Sequence, residues 1–222
     1  MRRFSLSAAM WARGLLGDEY GVPLERINWV VQSDTPLRRA VRERLNVNIV
    51  PAGEQLERLL ERGELDATIE AFAIGPLRRS SPLVHPLFEA PARAEIDYYR
   101  RSGVFPIMHT IVVWRDLIEQ YPELPLRLHS AFVEAKRLGD EQSVGPLRYV
   151  LAEEERQWLE TLTTEERTFF LGDASNRRDP WKYSLKDDRR TIETFLRYAY
   201  EQGVAHRRFE VEDLFAPTTL QL

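Results

Sequence analysis

The sequence of 222 residues predicts an α/β fold, with one lobe of alternating helices and strands followed by a mainly helical C-terminal region. Two observations predict it. Between residues 6 and 72, amphipathic helical patterns alternate with short β-branched runs, which is typical of a sheet with mostly parallel strands. After residue 115, the apolar residues recur mainly at helical spacing.

The elements of the first part follow from caps, breakers and apolar spacing. Predicted helices cover residues 6–20, 35–45 and 53–63. Predicted strands cover residues 27–31, 47–50 and 64–72. Ser5 or Ser7 is the predicted N-cap of the first helix, and Gly21 and Gly63 are helix stops, since serine caps and glycine terminates helices readily. These three helices and three strands alternate along the chain, which predicts a sheet with mostly parallel strands.

Prolines and glycine separate this part from the next. Residues 73–92 are a predicted loop, residues 93–103 a helix, and "VFPIMHTIVVW" (104–114) a strand with Pro106 at an edge or bulge. The predicted helices that follow cover residues 115–121, 124–138, 146–160, 164–170 and 188–202. "TTEE" (163–166) has the Thr-x-x-Glu spacing of a capping box, and residues 172–184 form a polar loop.

Composition excludes several classes of function. The net charge of −4 and a pI near 5.7 argue against a dedicated nucleic-acid binder. The chain has no cysteine, which excludes disulfides and thiolate chemistry. No apolar run approaches the ~20 residues that cross a bilayer. We therefore expect a cytoplasmic protein without a nucleic-acid or membrane partner.

Motifs for metals and nucleotides are missing as well. No pair of histidines has the spacing of a metal site, and no glycine-rich phosphate loop is present. We predict no cofactor, although a divalent metal held by His109 and distant carboxylates stays open.

Several stretches together resemble one known family. They are "AAMWARGLLGDEYGV", "RGELDATI", "DYYRRSGVFPIMHT", "LHSAFVEAKRLG", "DPWKYSLKDDRRTIETFLRYAYEQGV" and "VEDLFAP". In this order they resemble the 4,5-dihydroxyphthalate decarboxylase family over most of the chain. The resemblance implies the two-lobed fold of type II periplasmic solute-binding proteins, used as an enzyme in the cytoplasm.

The same resemblance implies a domain division. Residues 1–103 correspond to the α/β second lobe, and residues 104–222 to a crossing strand and a helical region that packs on the first lobe. The family carries most of a first lobe ahead of the position matching Met1, so we expect this chain to lack most of the N-terminal lobe.

His109 is the candidate catalytic residue. Decarboxylation of a dihydroxybenzene ring needs a base for a phenolic proton and an acid that protonates the ring carbon, and imidazole serves both roles near neutral pH. The alternative is a buried neutral histidine whose hydrogen bonds are met by the backbone. The resemblance, which places His109 at the crossing between lobes, favours the catalytic role.

The turn "FSLSAAM" is the candidate carboxylate seat. The N-terminus of a helix presents unpaired N–H groups and partial positive charge, so Ser5, Ser7 and Ala8 are predicted to bind the substrate. Plain helix capping is the alternative. Arg13 is predicted to clamp a carboxylate, unless it faces solvent.

Three further residues complete the predicted substrate site. In "YYRR", Arg101 or its neighbour Arg100 points at the predicted cleft, and Arg101 is the predicted contact; surface pairing with Glu95 or Asp97 is the alternative. Trp181 and Tyr183, in "DPWKY", are predicted walls for an aromatic ring, with a loop held by aromatic packing as the alternative.

Two functions from different classes follow. The first is an aromatic-acid decarboxylase that converts 4,5-dihydroxyphthalate to 3,4-dihydroxybenzoate. The second is a binding module for a small carboxylic acid without turnover, or an inactive remnant. The expected ligand is a small aromatic dicarboxylate, and the apolar face left by a missing lobe predicts a homo-oligomer.

Overall fold

The computed structural model describes residues 1–33, 37–51, 53–69, 81–142, 162–171 and 182–222. Helices dominate these residues, and a short parallel sheet accompanies them, so the predicted α/β class is confirmed. In this part of the chain, no helix is both long enough and apolar enough to cross a membrane.

The described helices lie close to the predicted ones. They are α1 (Ser7–Tyr20), α2 (Arg39–Leu45), α3 (Leu56–Glu61), α4 (Pro91–Ser102), α5 (Arg115–Gln120), α6 (Leu124–Gln142), α7 (Thr164–Leu171), α8 (Leu185–Glu201) and α9 (Val211–Leu214). The strands are β1 (Trp29–Val31) and β2 (Val47–Ile49), and short 3-10 turns cover Leu24–Arg26 and Pro217–Thr219.

The sheet is parallel, as predicted. Strand β1 pairs with β2 in the register Trp29↔Val47 to Val31↔Ile49. The first residues of the chain lie on the other side of β1. The Met1 amine donates to the Val30 carbonyl at 3.1 Å, and the Gln32 N–H donates to the Met1 carbonyl at 3.2 Å. One residue, Met1, thus bonds to the two residues on either side of Val31, which is the hydrogen-bond pattern of parallel strands. The segment before α1 therefore runs parallel to β1, like a third strand.

The chain divides into two compact units. The first unit comprises Met1–Pro86 and Glu193–Glu210, and the second comprises Leu87–Ile192 and Val211–Leu222. These units group residues by packing. The predicted division at residue 103, which concerns the lobes of a binding-protein fold, stays a prediction.

The first unit has its main core between the sheet and the helices. The buried members of this core are Met1, Phe4, Ala9, Trp29, Val31, Val41 and Leu45. A second cluster, made of Val50, Leu56 and Leu59, lies under α3. The second half of α8 packs on α1, since Trp11 contacts both Phe195 and Tyr198 with ring centroids 5.4 and 5.7 Å apart.

The second unit has a smaller, aromatic core. Its buried members are Ala92, Ile96, Leu162 and Phe170. Tyr99 joins α4 to this core, because its ring meets Phe105 and Phe169 edge-on at 5.9 and 5.5 Å. The predicted capping box before α7 is confirmed, with Thr163 N–H donating to Glu166 Oε2 at 2.8 Å and Glu166 N–H to Thr163 Oγ1 at 3.2 Å.

Two predicted strands are wrong. Residues 64–69 form bends and irregular backbone, and residues 103–114 are irregular as well. In the second case the β-branched run pairs with no strand among the described residues, and Val112 and Trp114 are 88% and 81% exposed. Strand propensity expresses packing against neighbours, so an apolar run without a partner strand does not become one.

Some predictions fall outside the described residues. These are the start of the second predicted helix at residues 35 and 36, the end of the third predicted strand at residues 70–72, the first part of the predicted loop at residues 73–80, the helix at residues 146–160, and most of the polar loop at residues 172–184.

Candidate functional site

A cavity of about 380 Å³ lies in the first unit, where two parallel segments end and α1 begins. Its walls are formed by Arg2, Arg3, Leu6, Gln32 and Ser33. Arg2 and Arg3 lie at the end of the segment beside β1, and Gln32 and Ser33 follow β1 itself. Ligands of open α/β sheets bind outside the carboxyl ends of the strands. We take this cavity, with the start of α1, as the candidate site.

The start of α1 offers unpaired N–H groups. The first helical hydrogen bond runs from the Met10 N–H to the Leu6 carbonyl at 2.9 Å, so the N–H groups of Ser7, Ala8 and Ala9 have no acceptor within the helix. The N-cap is Leu6, with φ −61° and ψ 134°, and no side chain caps the helix. The prediction that Ser5 or Ser7 caps α1 is therefore wrong. Their half-buried hydroxyls lie one residue to either side of the cap.

The walls of this cavity carry positive charge. Arg2 and Arg3 are exposed, and the described lining includes no carboxylate. The Arg2 guanidinium lies 3.9 Å from the carboxylate of Glu57, which is half-buried and partly offsets the positive charge of Arg2. Two guanidinium groups beside the positive end of a helix make this cavity attractive to an anion.

The guanidinium of Arg13 is not available to bind a ligand in this cavity. Its side chain is completely buried, at 0% exposure. Three of its N–H groups are taken by the chain itself: Nε donates to Gln202 Oε1 at 2.8 Å, Nη1 to Met1 Sδ at 3.0 Å and Nη2 to the Phe4 carbonyl at 2.5 Å. Burial lowers the pKa of Arg13 to about 9. Both expectations for Arg13, direct binding of a carboxylate and exposure to solvent, are therefore wrong. Arg13 is a buried residue that holds the chain before α1.

The other predicted residues with described positions lie in the second unit. His109 is exposed in the irregular segment 103–114, and Arg101 is exposed near the end of α4. Tyr183 is 48% exposed, and its ring lies 5.9 Å from Lys136 Nζ. Its carbonyl accepts a hydrogen bond from His129 Nε2 at 2.5 Å. Trp181 lies outside the described residues. The roles of these four residues stay predictions.

A second cavity of about 340 Å³ in the first unit is lined by several groups that pair with one another. Arg44 donates to Glu25 at 2.7 Å and to the Glu201 carbonyl at 2.9 Å. Tyr198 donates to Asp18 at 2.7 Å. Arg38, also in the lining, donates Nη2 to the Tyr200 carbonyl, but its buried Nε has no hydrogen-bond partner among the described residues. Because the carboxylates of this cavity are already paired within the chain, we place the candidate site at the first cavity. Among the described residues, no group of three or more acidic or imidazole side chains is arranged to hold a metal ion.

Sequence reasoning missed all five residues that line the cavity. They are Arg2, Arg3, Leu6, Gln32 and Ser33, and none of them was in the predicted set, although Leu6 lies between the predicted Ser5 and Ser7. The signal was available, because "QS" directly follows the β1 run. Polar residues that directly follow parallel strands meet at one edge of the sheet. The contribution of Arg2 and Arg3 required the backbone hydrogen bonds that place residues 1–3 beside β1.

Comparison with known proteins agrees with the family resemblance. No family model matches the chain. The chain is similar to the 4,5-dihydroxyphthalate decarboxylase of Comamonas testosteroni, with 30% identity over 229 aligned residues. The alignment covers 98% of this chain and 65% of that relative, so the chain spans slightly less than two thirds of the relative's length.

Proposed function

We propose that the chain acts as an aromatic-acid decarboxylase, because it is similar to the 4,5-dihydroxyphthalate decarboxylase of Comamonas testosteroni over a span equal to 65% of that relative's length. The proposed reaction converts 4,5-dihydroxyphthalate to 3,4-dihydroxybenzoate and carbon dioxide. The observation that carries this proposal is the 30% identity that extends along 98% of the chain. A type II binding-protein fold is part of the proposal, supported by the parallel pairing and the helix that starts beside it.

The proposed chemistry moves one proton onto the ring and removes carbon dioxide. A base takes the proton of the ring hydroxyl para to the departing carboxylate, which raises electron density at the carbon that bears this carboxylate. An acid then protonates that carbon. The bond to the carboxylate breaks, its electron pair returns to the ring, and the hydroxyl recovers its proton. Each well-placed acid or base contributes ~10²- to 10⁴-fold in rate.

The start of α1 is the proposed seat of the carboxylate that stays on the ring. The N–H groups of Ser7 and Ala8 have no acceptor in the helix, and the hydroxyls of Ser5 and Ser7 stand beside them. The guanidinium groups of Arg2 and Arg3 add positive charge.

His109 is the proposed proton-transfer residue. Its imidazole is exposed, which leaves it accessible to a substrate, and imidazole both accepts and donates protons near neutral pH. Arg101, Trp181 and Tyr183 remain the proposed contacts to the second carboxylate and to the ring. A substrate with two carboxylates is consistent with the positive charge of the candidate site.

Turnover tests the proposed activity. The purified protein, with and without added divalent metals, is incubated with 4,5-dihydroxyphthalate, and 3,4-dihydroxybenzoate is measured by liquid chromatography. We expect product and an equal amount of carbon dioxide. Absence of product under every condition contradicts the decarboxylase. Calorimetric binding of phthalate without turnover then indicates the binding module instead.

A histidine pair tests the mechanism. We expect His109→Ala to lower kcat by roughly 10²-fold or more, the contribution of a positioned acid or base. His85→Ala is the matched control, since His85 is also exposed and lies outside the proposed site, and its kcat should equal that of the wild type. Nearly unchanged activity of His109→Ala would show that another residue transfers the proton.

A further inference from the structure

Arg13 is a buried cation with neutral partners. Its guanidinium bonds to an amide oxygen, a thioether sulfur and a backbone carbonyl, from Gln202, Met1 and Phe4. It also stacks on the Phe4 ring, with Cζ 3.6 Å from the ring centroid. Within the described part of the chain, no carboxylate lies within the 4.0 Å of an ion pair with Arg13.

A buried charge that has only neutral partners lowers the stability of the folded protein. Burial of an unpaired ion costs several kcal/mol in a protein, and a neutral side chain of similar shape would avoid that cost. The only cause that lowers the pKa of Arg13 is its burial, and no ion pair opposes it. Another arginine in the same unit behaves differently, because Arg197 has Asp18 and Glu201 as acidic partners.

The position of Arg13 connects it to the candidate site. The Phe4 carbonyl that Arg13 holds belongs to the turn just before α1, two residues before Leu6, which lines the cavity. The partner on the other side is fixed as well, because Gln202 Nε2 donates to the Met10 carbonyl at 3.0 Å, which turns Gln202 Oε1 toward Arg13. Arg13 thus ties together the end of the segment beside β1, helix α1 and the end of α8.

We infer that Arg13 is a positioning residue for carboxylate binding: it fixes the turn before α1, and its unneutralised charge adds to the positive potential at the start of this helix. This inference rests on the proposed function, since it names the residue that prepares the carboxylate seat. Arg13 acts through Phe4 and through its field, without touching the substrate. A bound carboxylate in turn supplies the negative charge that the chain itself does not place near Arg13.

Binding of phthalate, an inert aromatic dicarboxylate, tests this inference by calorimetry. We expect Arg13→Met, which keeps length and removes charge, to raise the phthalate Kd roughly tenfold, a change of ~1.4 kcal/mol. Arg13→Lys keeps the charge but lacks the planar fork that holds the Phe4 carbonyl, so its Kd should rise by a smaller factor, roughly threefold. Arg197→Met is the matched control, because it removes a neutralised arginine and should leave the phthalate Kd unchanged.

Kinetics separate positioning from chemistry. For 4,5-dihydroxyphthalate, we expect Arg13→Met to raise KM with kcat changed much less, the signature of lost ground-state binding. A purely structural Arg13 would lower the unfolding midpoint of Arg13→Met and leave the phthalate Kd unchanged, and this result overturns the inference. If Arg13→Met does not fold, an unchanged Kd in Arg13→Lys overturns it.

The two proposals fail in different ways. Wild-type protein that binds phthalate but releases no carbon dioxide contradicts the decarboxylase, and the Kd comparison still decides the role of Arg13. Wild-type protein that turns over substrate while Arg13→Met keeps the wild-type KM contradicts only the role of Arg13. Wild-type protein that does not bind phthalate at all overturns the inference.

Discussion

Helix α1 contains two glycines, Gly14 and Gly17, whose replacement by alanine should have different effects on stability. A Cβ atom built at Gly14 would lie 2.3 Å from Tyr198 Cε2 and 2.4 Å from Tyr198 Cδ2. A Cβ atom at Gly17 would meet its nearest neighbour, Leu24 Cδ1, at 3.8 Å. Carbon atoms pack best about 3.5 to 4.0 Å apart. Gly14 therefore allows the close approach of α8 to α1, whereas Gly17 has room for a methyl group.

The Tyr198 ring cannot easily move aside. It is 2% exposed, it meets Trp11 edge-on at 5.7 Å, and its hydroxyl donates to Asp18 at 2.7 Å. Relief of the contact needs a shift of about 1 Å or more, given the ordinary carbon–carbon distance. Such a shift would disturb both interactions, and overpacking of this kind costs ~1–3 kcal/mol.

The two substitutions share one favourable contribution. Alanine is better than glycine inside a helix by ~0.8–1 kcal/mol, and this gain applies at both positions. Gly17→Ala should therefore stabilise the protein by ~0.5–1 kcal/mol. Gly14→Ala should be neutral or destabilising by up to about 2 kcal/mol after the same gain is subtracted. The propensity contribution cancels in the difference between the variants, which isolates the strain at Tyr198 as ~1–3 kcal/mol.

Urea unfolding followed by circular dichroism and by tryptophan fluorescence measures both free energies. Thermal unfolding should separate the two midpoints by at least ~2–4 °C, the shift per kcal/mol for a chain of this size. The m-value should be unchanged, so that a change in midpoint reports stability. If Gly14→Ala is as stable as Gly17→Ala, the close packing of α8 on α1 is refuted.

Two further predictions concern the second unit. Burial raises the pKa of Asp188 to about 6, with a smaller lowering by Lys182 and a smaller raising by Asp187. The folded state therefore keeps this proton more tightly than the unfolded state, and stability should fall as the pH rises from about 4 to about 6. Thermal unfolding at a series of pH values measures this fall in stability. Asp188→Asn should abolish the fall, and Asp187→Asn should keep it. If the two variants have the same dependence of the unfolding midpoint on pH, Asp188 is not the group responsible. Glu166→Ala should lower the free energy of unfolding by ~0.5–2 kcal/mol, because the Glu166 carboxylate accepts hydrogen bonds from both the N–H and the hydroxyl of Thr163 in the capping box. An unchanged midpoint of urea unfolding would show that the capping box does not contribute to stability.

Local chemistry explains why many helices could be predicted from the sequence. The end of α1 at Gly21 and the end of α4 at Gly103 both depend on a glycine at positive φ, 62° and 67°. The capping box before α7 depends on two residues three positions apart. The β-branched runs at residues 27–31 and 47–50 became paired strands because each had a parallel neighbour. The determinants of the helix ends lie within a few residues of each helix, whereas each strand also needs its partner from the other side of α2.

The two failed strand predictions have a different origin. The runs at residues 64–72 and 104–114 have strand-like composition, but a strand exists only when another backbone pairs with it. The segment with His109 therefore stays irregular despite its β-branched residues. A local pattern cannot specify whether a distant segment supplies the hydrogen bonds.

The residues alone predict the α/β class, the resemblance to the decarboxylase family and the helix that starts at the candidate site. Which residues surround that site depends on the folded chain. Arg13 was predicted from its position on α1 to reach a ligand or solvent, yet it is buried because acceptors from Phe4, nine residues away, and Gln202, 189 residues away, converge on it. The burial of a charge depends on such distant partners, and only the folded chain brings them together.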